Sequence, residues 1–229
     1  MTTRLYLVRH GATPLTAEDR FSGEENVFLS QAGQFQAQRL AERLADDNIC
    51  AVYASPLDRT METARILGMP HGLAPEAEAG LREINHGHWE GRSRTEVEAE
   101  FGSEYAAWEE DPFTFAPEGG ESGISVLARA LPVLREIILR HQDKNVLVVS
   151  HKATLRLLIS SLLGFDARGY RDRLDQAPAC LNIMDFKDTV RARLMLFNDV
   201  SHYADQPHRP GGHLSKWWGP GNGEEKAEG

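Results

Sequence analysis

Six side chains that can bind or attack a phosphoryl group stand at the ends of three apolar segments of the chain. They are Arg9, His10, Ser55, Arg59, Ser150 and His151. Arginine can donate to two phosphate oxygens at once and stays protonated near neutral pH. A neutral imidazole nitrogen can attack phosphorus. Together these residue types predict chemistry on a dianionic phosphoryl group, whose spread charge needs several fixed donors.

Each of these residues also has a simpler interpretation when it is taken alone. An isolated arginine in an acidic chain more often belongs to a surface ion pair, and Arg9 with His10 could be the solvated end of a strand. The carboxyl ends of parallel strands meet at one edge of a sheet, where α/β proteins bind ligands. The functional interpretation therefore depends on a fold that brings the three segments together.

The order of the elements predicts such a sheet. Short apolar runs predict buried strands, and longer segments with apolar residues at i, i+3, i+4 and i+7 predict helices between them. Strands that alternate with helices predict an α/β fold, a three-layer α/β/α sandwich with a mostly parallel central sheet and right-handed crossovers. The predicted strands cover residues 5–8, 49–54, 145–150, 181–186 and 192–197.

Three details of this prediction are less regular. A short strand is expected near Leu73, and residues 93–110 are expected to form one or two short helices that contribute aromatic contacts. Pro132 lies inside a long helical pattern that ends near His141. Because proline interrupts helical hydrogen bonding, this helix should be kinked or begin later than its pattern suggests.

Composition narrows the class of partner. With 25 Lys and Arg against 34 Asp and Glu, the formal charge of −9 disfavours a nucleic-acid or anionic-membrane binder, since both need a basic surface. No apolar run is long enough to cross a bilayer, and Met1 is not followed by a signal-peptide pattern, so a cytoplasmic location is expected. Cys50 and Cys180 lie in apolar segments, which favours core positions over a disulfide or metal ligation.

We expect one catalytic domain over residues 1–203 and a C-terminal tail over residues 204–229. The tail is rich in proline, glycine and charge, yet it contains Trp217 and Trp218. Two adjacent tryptophans are expected to pack against something, either near the active site or at a subunit contact. A homodimer is therefore one possible state.

Five motifs, in order, resemble those of the histidine phosphatase superfamily, which is also called phosphoglycerate mutase-like. The resemblance covers residues 4–200 and implies the fold of that superfamily. The first motif is the Leu-Val-Arg-His-Gly of residues 7–11. The others are Arg-Phe-Ser-Gly at 20–23, Ser-Pro-Leu-Asp-Arg-Thr-Met-Glu-Thr-Ala at 55–64, Leu-Arg-Glu at 81–83 with Trp-Glu-Gly at 89–91, and Val-Ser-His at 149–151.

The resemblance implies a role for each matching residue. His10 would be the nucleophile that forms a phosphohistidine, Arg9, Arg59 and His151 would hold the phosphoryl oxygens, and Glu83 would be the acid–base group. A carboxyl group suits that role because it can protonate the leaving alkoxide and then accept the proton of water. The resemblance implies no metal and no cofactor, and the sequence has no metal-ligand spacing.

A second set of residues is expected to bind the substrate around the phosphoryl group. It comprises Thr16, Ser22, Gly23, Arg82 and His202. His86 and His88 either line the mouth of the site or have no role there. The late motif of the superfamily often continues with glycines, whereas His151 is followed here by Lys152 and Ala153.

The leading interpretation is a metal-independent phosphatase that acts on a small phosphorylated metabolite. The loop at 89–91 favours it over phosphotransfer of the phosphoglycerate mutase type, which is the first alternative. A non-catalytic module that binds a phospho-ligand or phosphoprotein is the alternative of another class. Binding alone would not need His10 and Glu83, and the sequence does not identify the metabolite.

Overall fold

The computed structural model describes residues 2–17 and 20–205 of the chain. The tail residues Trp217 and Trp218 lie outside the described residues, as does most of the predicted tail. Among the helices described, none is both long enough and apolar enough to cross a membrane.

A six-stranded sheet forms the middle layer, in the order β3-β2-β4-β1-β5-β6. The four strands β3, β2, β4 and β1 are parallel, and β5 and β6 are antiparallel to their neighbours. The predicted mixed α/β fold with a mostly parallel sheet is therefore confirmed. The strands are β1 Thr3–Arg9, β2 Ile49–Ala54, β3 Glu76–Ala77, β4 Asn145–Ser150, β5 Leu181–Phe186 and β6 Ala192–Asp199.

Helices cover both faces of the sheet. The side chains of β1 alternate between these faces: Leu5 and Leu7 pack in one core with α5 and α6, and Tyr6 and Val8 pack in another with α1 and α2. This burial on both faces explains the continuous apolar run. The helices are α1 Gln31–Leu44, α2 Asp58–Gly68, α3 Arg94–Glu100, α4 Gly102–Glu110, α5 Gly123–Arg140, α6 Lys152–Leu163 and α7 Tyr170–Arg173.

The strand register brings the predicted functional segments to one edge. Arg9 at the end of β1 pairs with Ser150 at the end of β4, and Ala54 at the end of β2 pairs with Val149. His10, Ser55 and His151 therefore leave the sheet at the same level. The predicted convergence of the three segments is confirmed.

Two elements differ from the sequence-based expectation. The third strand lies at Glu76–Ala77 and not near Leu73. Helix α5 begins at Gly123 and includes Pro132, so a later start is wrong. Pro132 lies on the exposed face of α5, and so does Ala128, whose carbonyl loses its usual partner.

Cys50 is exposed, so its prediction as a core residue is wrong, whereas Cys180 is buried as expected. The pairing of β2 with β4 is irregular between Ile49 and Ala51. This irregularity turns Cys50 outward, where its sulfur lies 3.8 Å from His141 Nδ1. Both cysteines are free thiols.

Candidate active site

His10 lies directly after β1, and its backbone N–H donates to the Ser150 carbonyl at 3.0 Å. The next residue, Gly11, is held from two sides. Its N–H donates to Thr63 Oγ1 at 3.1 Å, and a Cβ on Gly11 would come within 2.5 Å of the Gly33 carbonyl oxygen at the start of α1. The turn after the strand therefore requires glycine because helix α1 packs directly against it.

The hydrogen bonding of His10 determines which ring nitrogen can react. Its Nδ1 lies 2.8 Å from the Gly11 carbonyl oxygen, and a carbonyl can only accept, so Nδ1 carries the hydrogen. Burial, and after it the charges of Arg9 and Arg59, hold the pKa of His10 well below its usual 6.5. The ring is therefore neutral, with its lone pair on Nε2.

Arg9 and Arg59 supply the positive charge of the site. Arg9 Nη1 donates to the Gln176 carbonyl at 2.7 Å. Arg59 donates to the carbonyls of Glu25 and Gly23 at 2.6 and 2.7 Å. Both side chains are buried, and Arg9 Nε has no partner among the described residues. Carbonyl oxygens thus orient both guanidinium groups without neutralising them.

His151 faces His10, with 5.2 Å between the ring centroids. Its Nε2 lies 2.8 Å from Ser55 Oγ, and burial, followed by the charge of Arg59, lowers its pKa well below 6.5. Among the described contacts of the Ser55 hydroxyl, only His151 Nε2 can accept its hydrogen, so we assign Ser55 as the donor. This assignment leaves an N–H at Nδ1, which is buried and has no partner in the described part of the chain.

Glu83 is held at the start of α6. Its Oε1 accepts from the backbone N–H groups of Ile84 and Thr154, at 3.0 and 3.2 Å, and from Thr154 Oγ1 at 3.2 Å. Its Oε2 accepts one described bond, from the Ala153 N–H at 3.1 Å. Oε2 is therefore the oxygen with spare capacity for a proton or a further donor.

The loop after β1 contributes differently from the sequence expectation. The carbonyl of Gly23 accepts a hydrogen bond from Arg59. The backbone of Gly23 has φ +28°, and a Cβ added there would lie 1.9 Å from Glu90 Oε1. Ser22 is half-buried beside it. Thr16 is exposed, and its hydroxyl is bonded to Thr13. The described contacts therefore keep Thr16 within its own turn and do not join it to His10.

The described contacts of Arg82 and His202 are with other parts of the chain. Arg82 Nε donates to Glu24 Oε1. His202 is buried and lines a surface pocket with Arg39, Glu42, Arg43 and Ser201. The chain reaches that pocket because it turns toward α1 after β6, where Arg43 pairs with Asp199. The His202 ring also lies near the backbone of Ala179, whose N–H donates to the His10 carbonyl at 3.0 Å, so its contact with the substrate stays a prediction.

The two histidines of the 86–88 segment belong to an aromatic cluster beside the site. The His86 ring meets Phe21 edge-on, with 4.8 Å between centroids, and burial lowers its pKa to about 3. His88 Nε2 lies 3.2 Å from Glu104 Oε2. These contacts favour a structural role for both histidines.

Three residues that position the site were not assigned from the sequence. Gln176 holds Arg9, Thr63 holds Gly11, and Thr154 holds Glu83. Thr63 follows Arg59 at i+4, which places the two on one helix face and could have indicated a shared role. Gln176 acts through its backbone carbonyl, which leaves no trace in the residue type.

The described residues contain no group of three His, Cys, Asp or Glu side chains that could hold a metal ion. The site instead combines two arginines, two neutral histidines and one carboxyl group. A dianion could be held by the arginines and by His151, with His10 Nε2 placed to attack it and Glu83 placed to exchange a proton.

Comparisons with known proteins agree with this chemistry. A family model described as histidine phosphatase superfamily (branch 1) matches residues 5–200. The phosphoserine phosphatase 1 of Hydrogenobacter thermophilus is 35% identical over 163 residues, which cover 71% of this chain and 77% of that protein.

Two solved structures are similar over most of their length. Bacillus stearothermophilus YhfR matches with a TM-score of 0.82 and 30% identity, covering 87% of this chain and 98% of its own. A mycobacterial glucosyl-3-phosphoglycerate phosphatase, solved in complex with inorganic phosphate, matches with a TM-score of 0.77 and 29% identity, covering 88% of this chain and 99% of its own.

Proposed function

We propose, since the chain belongs to the histidine phosphatase superfamily, that it hydrolyses a small phosphomonoester through a phosphohistidine on His10. The family and the fold predicted from the sequence are confirmed, and two of the three similar proteins described above are named phosphatases. One observation carries the proposed mechanism. His10 is neutral, its hydrogen is on Nδ1 and its lone pair on Nε2, and the two arginines whose charges act on its ring are buried.

In the first step, His10 Nε2 forms a bond to phosphorus while the bond between phosphorus and the ester oxygen breaks. The leaving alkoxide takes a proton from Glu83 Oε2. Arg9 and Arg59 hold the equatorial oxygens, whose charge they stabilise in the transition state. His151 adds the Nδ1–H, and Ser55 keeps that tautomer by donating to Nε2.

In the second step, water attacks the phosphohistidine. Glu83, which has lost its proton, accepts a proton from this water, and the bond between phosphorus and His10 Nε2 breaks. Inorganic phosphate leaves, and His10 returns to its neutral form. The cycle then needs one residue as nucleophile and one as acid–base group.

The decisive experiment traps the intermediate. The protein is mixed with a ³²P-labelled phosphomonoester, quenched in alkali and digested, and the label is sought on the peptide that contains residue 10. We expect a base-stable, acid-labile phosphoramidate that decays with release of phosphate. His10→Ala should form none, whereas His141→Asn, which removes an imidazole near exposed Cys50 and away from the site, should label normally.

The two main alternatives give different results in the same assay. With labelled 3-phosphoglycerate as the substrate, a phosphotransferase of the mutase type would return the label to the second hydroxyl of the substrate. The isomer would then appear in place of free phosphate. A binding module would give neither label nor phosphate with any substrate. Normal phosphate release by His10→Ala would contradict the assignment of the nucleophile.

Other expectations from the sequence stay predictions. These are the homodimer, the cytoplasmic location, the lack of nucleic-acid binding and the division into residues 1–203 and 204–229. The small phosphorylated substrate is supported by the buried position of His10 and by the relatives' substrates as named.

A further inference from the structure

Three charged residues form a cluster near Arg9, and we refer to Lys152, Arg156 and Asp175 as the Lys152 cluster. Asp175 Oδ1 accepts from Lys152 Nζ at 3.1 Å and from Arg156 Nη2 at 3.0 Å. The following residue, Gln176, holds Arg9 through its carbonyl. The cluster is therefore continuous with the group that binds the phosphoryl oxygens.

The cluster contains more positive charge than is needed to balance the carboxylate of Asp175. The Arg156 side chain is only 6% exposed and pairs with the same oxygen of Asp175 that Lys152 contacts. One buried arginine already balances this carboxylate. Lys152, whose side chain is 29% exposed, adds a second cation at the partly open side of the pair.

The position of Lys152 is also unfavourable for a cation. It is the first residue of α6, and the positive end of the helix dipole disfavours positive charge there. Burial, and after it the charges of Arg156 and Arg9, lower the pKa of Lys152 to about 8 despite the neighbouring Asp175. A residue chosen for stability alone would not carry a positive charge at this point.

We propose that Lys152 binds a second anionic group of the substrate, beside the phosphoryl group that Arg9 holds, and that Asp175 keeps the lysine in place until the substrate arrives. The inference rests on the proposed function and narrows its substrate class. The preferred substrates are phosphomonoesters that carry a carboxylate or a second phosphate close to the reacting group. A flexible four-carbon side chain with three donors suits either group.

The test compares substrates that differ in one group. 3-Phosphoglycerate carries a carboxylate where sn-glycerol 3-phosphate carries a hydroxymethyl group, and glycerol 1,3-bisphosphate carries a second phosphate. In Lys152→Gln we expect kcat/KM to fall about tenfold for the substrate whose anion is recognised, because one charge-assisted hydrogen bond is lost. For glycerol 3-phosphate it should stay within about twofold. If Lys152→Gln lowers kcat/KM for 3-phosphoglycerate, the recognised anion is a carboxylate. If it lowers kcat/KM for glycerol 1,3-bisphosphate, the recognised anion is a phosphate.

Two further variants separate binding from general effects. Lys187→Gln removes an exposed lysine between β5 and β6 and should leave all three substrates unchanged. Lys152→Arg keeps the charge and should retain most of the preference. Equal losses for all substrates in Lys152→Gln, or no preference in the wild-type protein, would overturn the inference.

A pH series on the wild-type protein tests the same inference without a variant. The charged groups that face Lys152 are Asp175, Arg156 and Arg9, and of the four only Lys152 loses its charge near pH 8. The preference for the acidic substrate in kcat/KM should therefore decline above about pH 8. A preference that stays constant from pH 6.5 to 9.5 would overturn the inference.

Failure of the proposed function would look different. If no phosphomonoester is turned over, calorimetric binding of 3-phosphoglycerate, glycerol 1,3-bisphosphate and glycerol 3-phosphate to the wild-type protein and Lys152→Gln still measures the anion preference. Loss of turnover with a retained, Lys152-dependent preference would contradict the catalytic proposal alone.

Discussion

Replacing Glu83 by glutamine removes the group proposed to transfer the proton while it keeps the shape of the side chain. The amide oxygen can keep the three bonds now made to Oε1. The amide nitrogen then faces the Ala153 N–H, which Oε2 now accepts at 3.1 Å. Glu83→Gln therefore loses one hydrogen bond and the transferable proton.

These two losses differ in size and in the measurement that detects them. One broken buried hydrogen bond costs about 1–3 kcal/mol of the free energy of unfolding. General acid catalysis contributes a factor of about 10²–10⁴ to the rate, which corresponds to about 3–5 kcal/mol of activation free energy. The second loss applies only where the leaving group needs a proton.

The assay compares two leaving groups. For glycerol 3-phosphate, whose alkoxide leaves poorly without a proton, we expect kcat/KM of Glu83→Gln to fall by about 10²–10⁴. For p-nitrophenyl phosphate the first half-reaction should slow by less than about tenfold, because nitrophenolate leaves unprotonated. Attack by water still needs the missing base, so the variant should release one equivalent of nitrophenolate in a burst and then turn over slowly.

Equal losses for both leaving groups, with no burst, would refute the acid–base assignment. Glu62→Gln is the matched control, because Glu62 also accepts a backbone N–H, from Leu29 at 3.0 Å. It should lower the free energy of unfolding to a similar extent while both substrates are turned over at the normal rate.

Three further predictions follow from described contacts. Ser55→Ala removes the hydroxyl bonded to His151 and should lower kcat/KM about tenfold; Ser150→Ala, whose buried hydroxyl donates to a backbone carbonyl at 2.8 Å, should lower only the melting temperature. Gly23→Ala, which places a Cβ 1.9 Å from a carboxylate oxygen, should displace the loop and lower kcat/KM about tenfold to a hundredfold. Because burial lowers the pKa of His86 to about 3, the unfolded chain binds a proton at this histidine before the folded protein does, and this histidine alone should lower the free energy of unfolding by about 2 kcal/mol between pH 7.5 and pH 5. Urea unfolding of His86→Gln should show a correspondingly smaller fall.

The central part of the site could be predicted from the sequence because it depends on strand ends. A buried parallel strand is a continuous apolar run, and its end is marked by the first polar residues. Arg9, His10, Ser55 and His151 are such residues, and parallel pairing brings them to one edge whatever the details of the loops. Glu83 needed the motif resemblance, since it follows a short turn and not a strand.

The rim of the site could not be predicted in the same way. Thr16 and His202 are expected at the substrate from the sequence; in the structure the hydroxyl of Thr16 bonds within its own turn, and His202 lines a pocket beside α1, and neither contact follows from the residue pattern. Loop paths depend on many weak contacts that no short pattern records. Lys152 appeared in the sequence only as a departure from glycine, and its partner Asp175 is distant in the chain.

The way in which the cations are held explains how an acidic protein keeps a site for a dianion. Arg9 and Arg59 are oriented by backbone carbonyls of residues 23, 25 and 176, and a carbonyl dipole fixes a guanidinium group without cancelling its charge. A carboxylate in the same place would neutralise the arginine and compete with the phosphoryl group. Lys152 shares one carboxylate oxygen of Asp175 with Arg156, so this carboxylate fixes the position of the lysine without balancing both cations. The site thus orients the charge for the reacting phosphate through backbone carbonyls and, in the role proposed for Lys152, orients the charge for a second anion through a shared carboxylate.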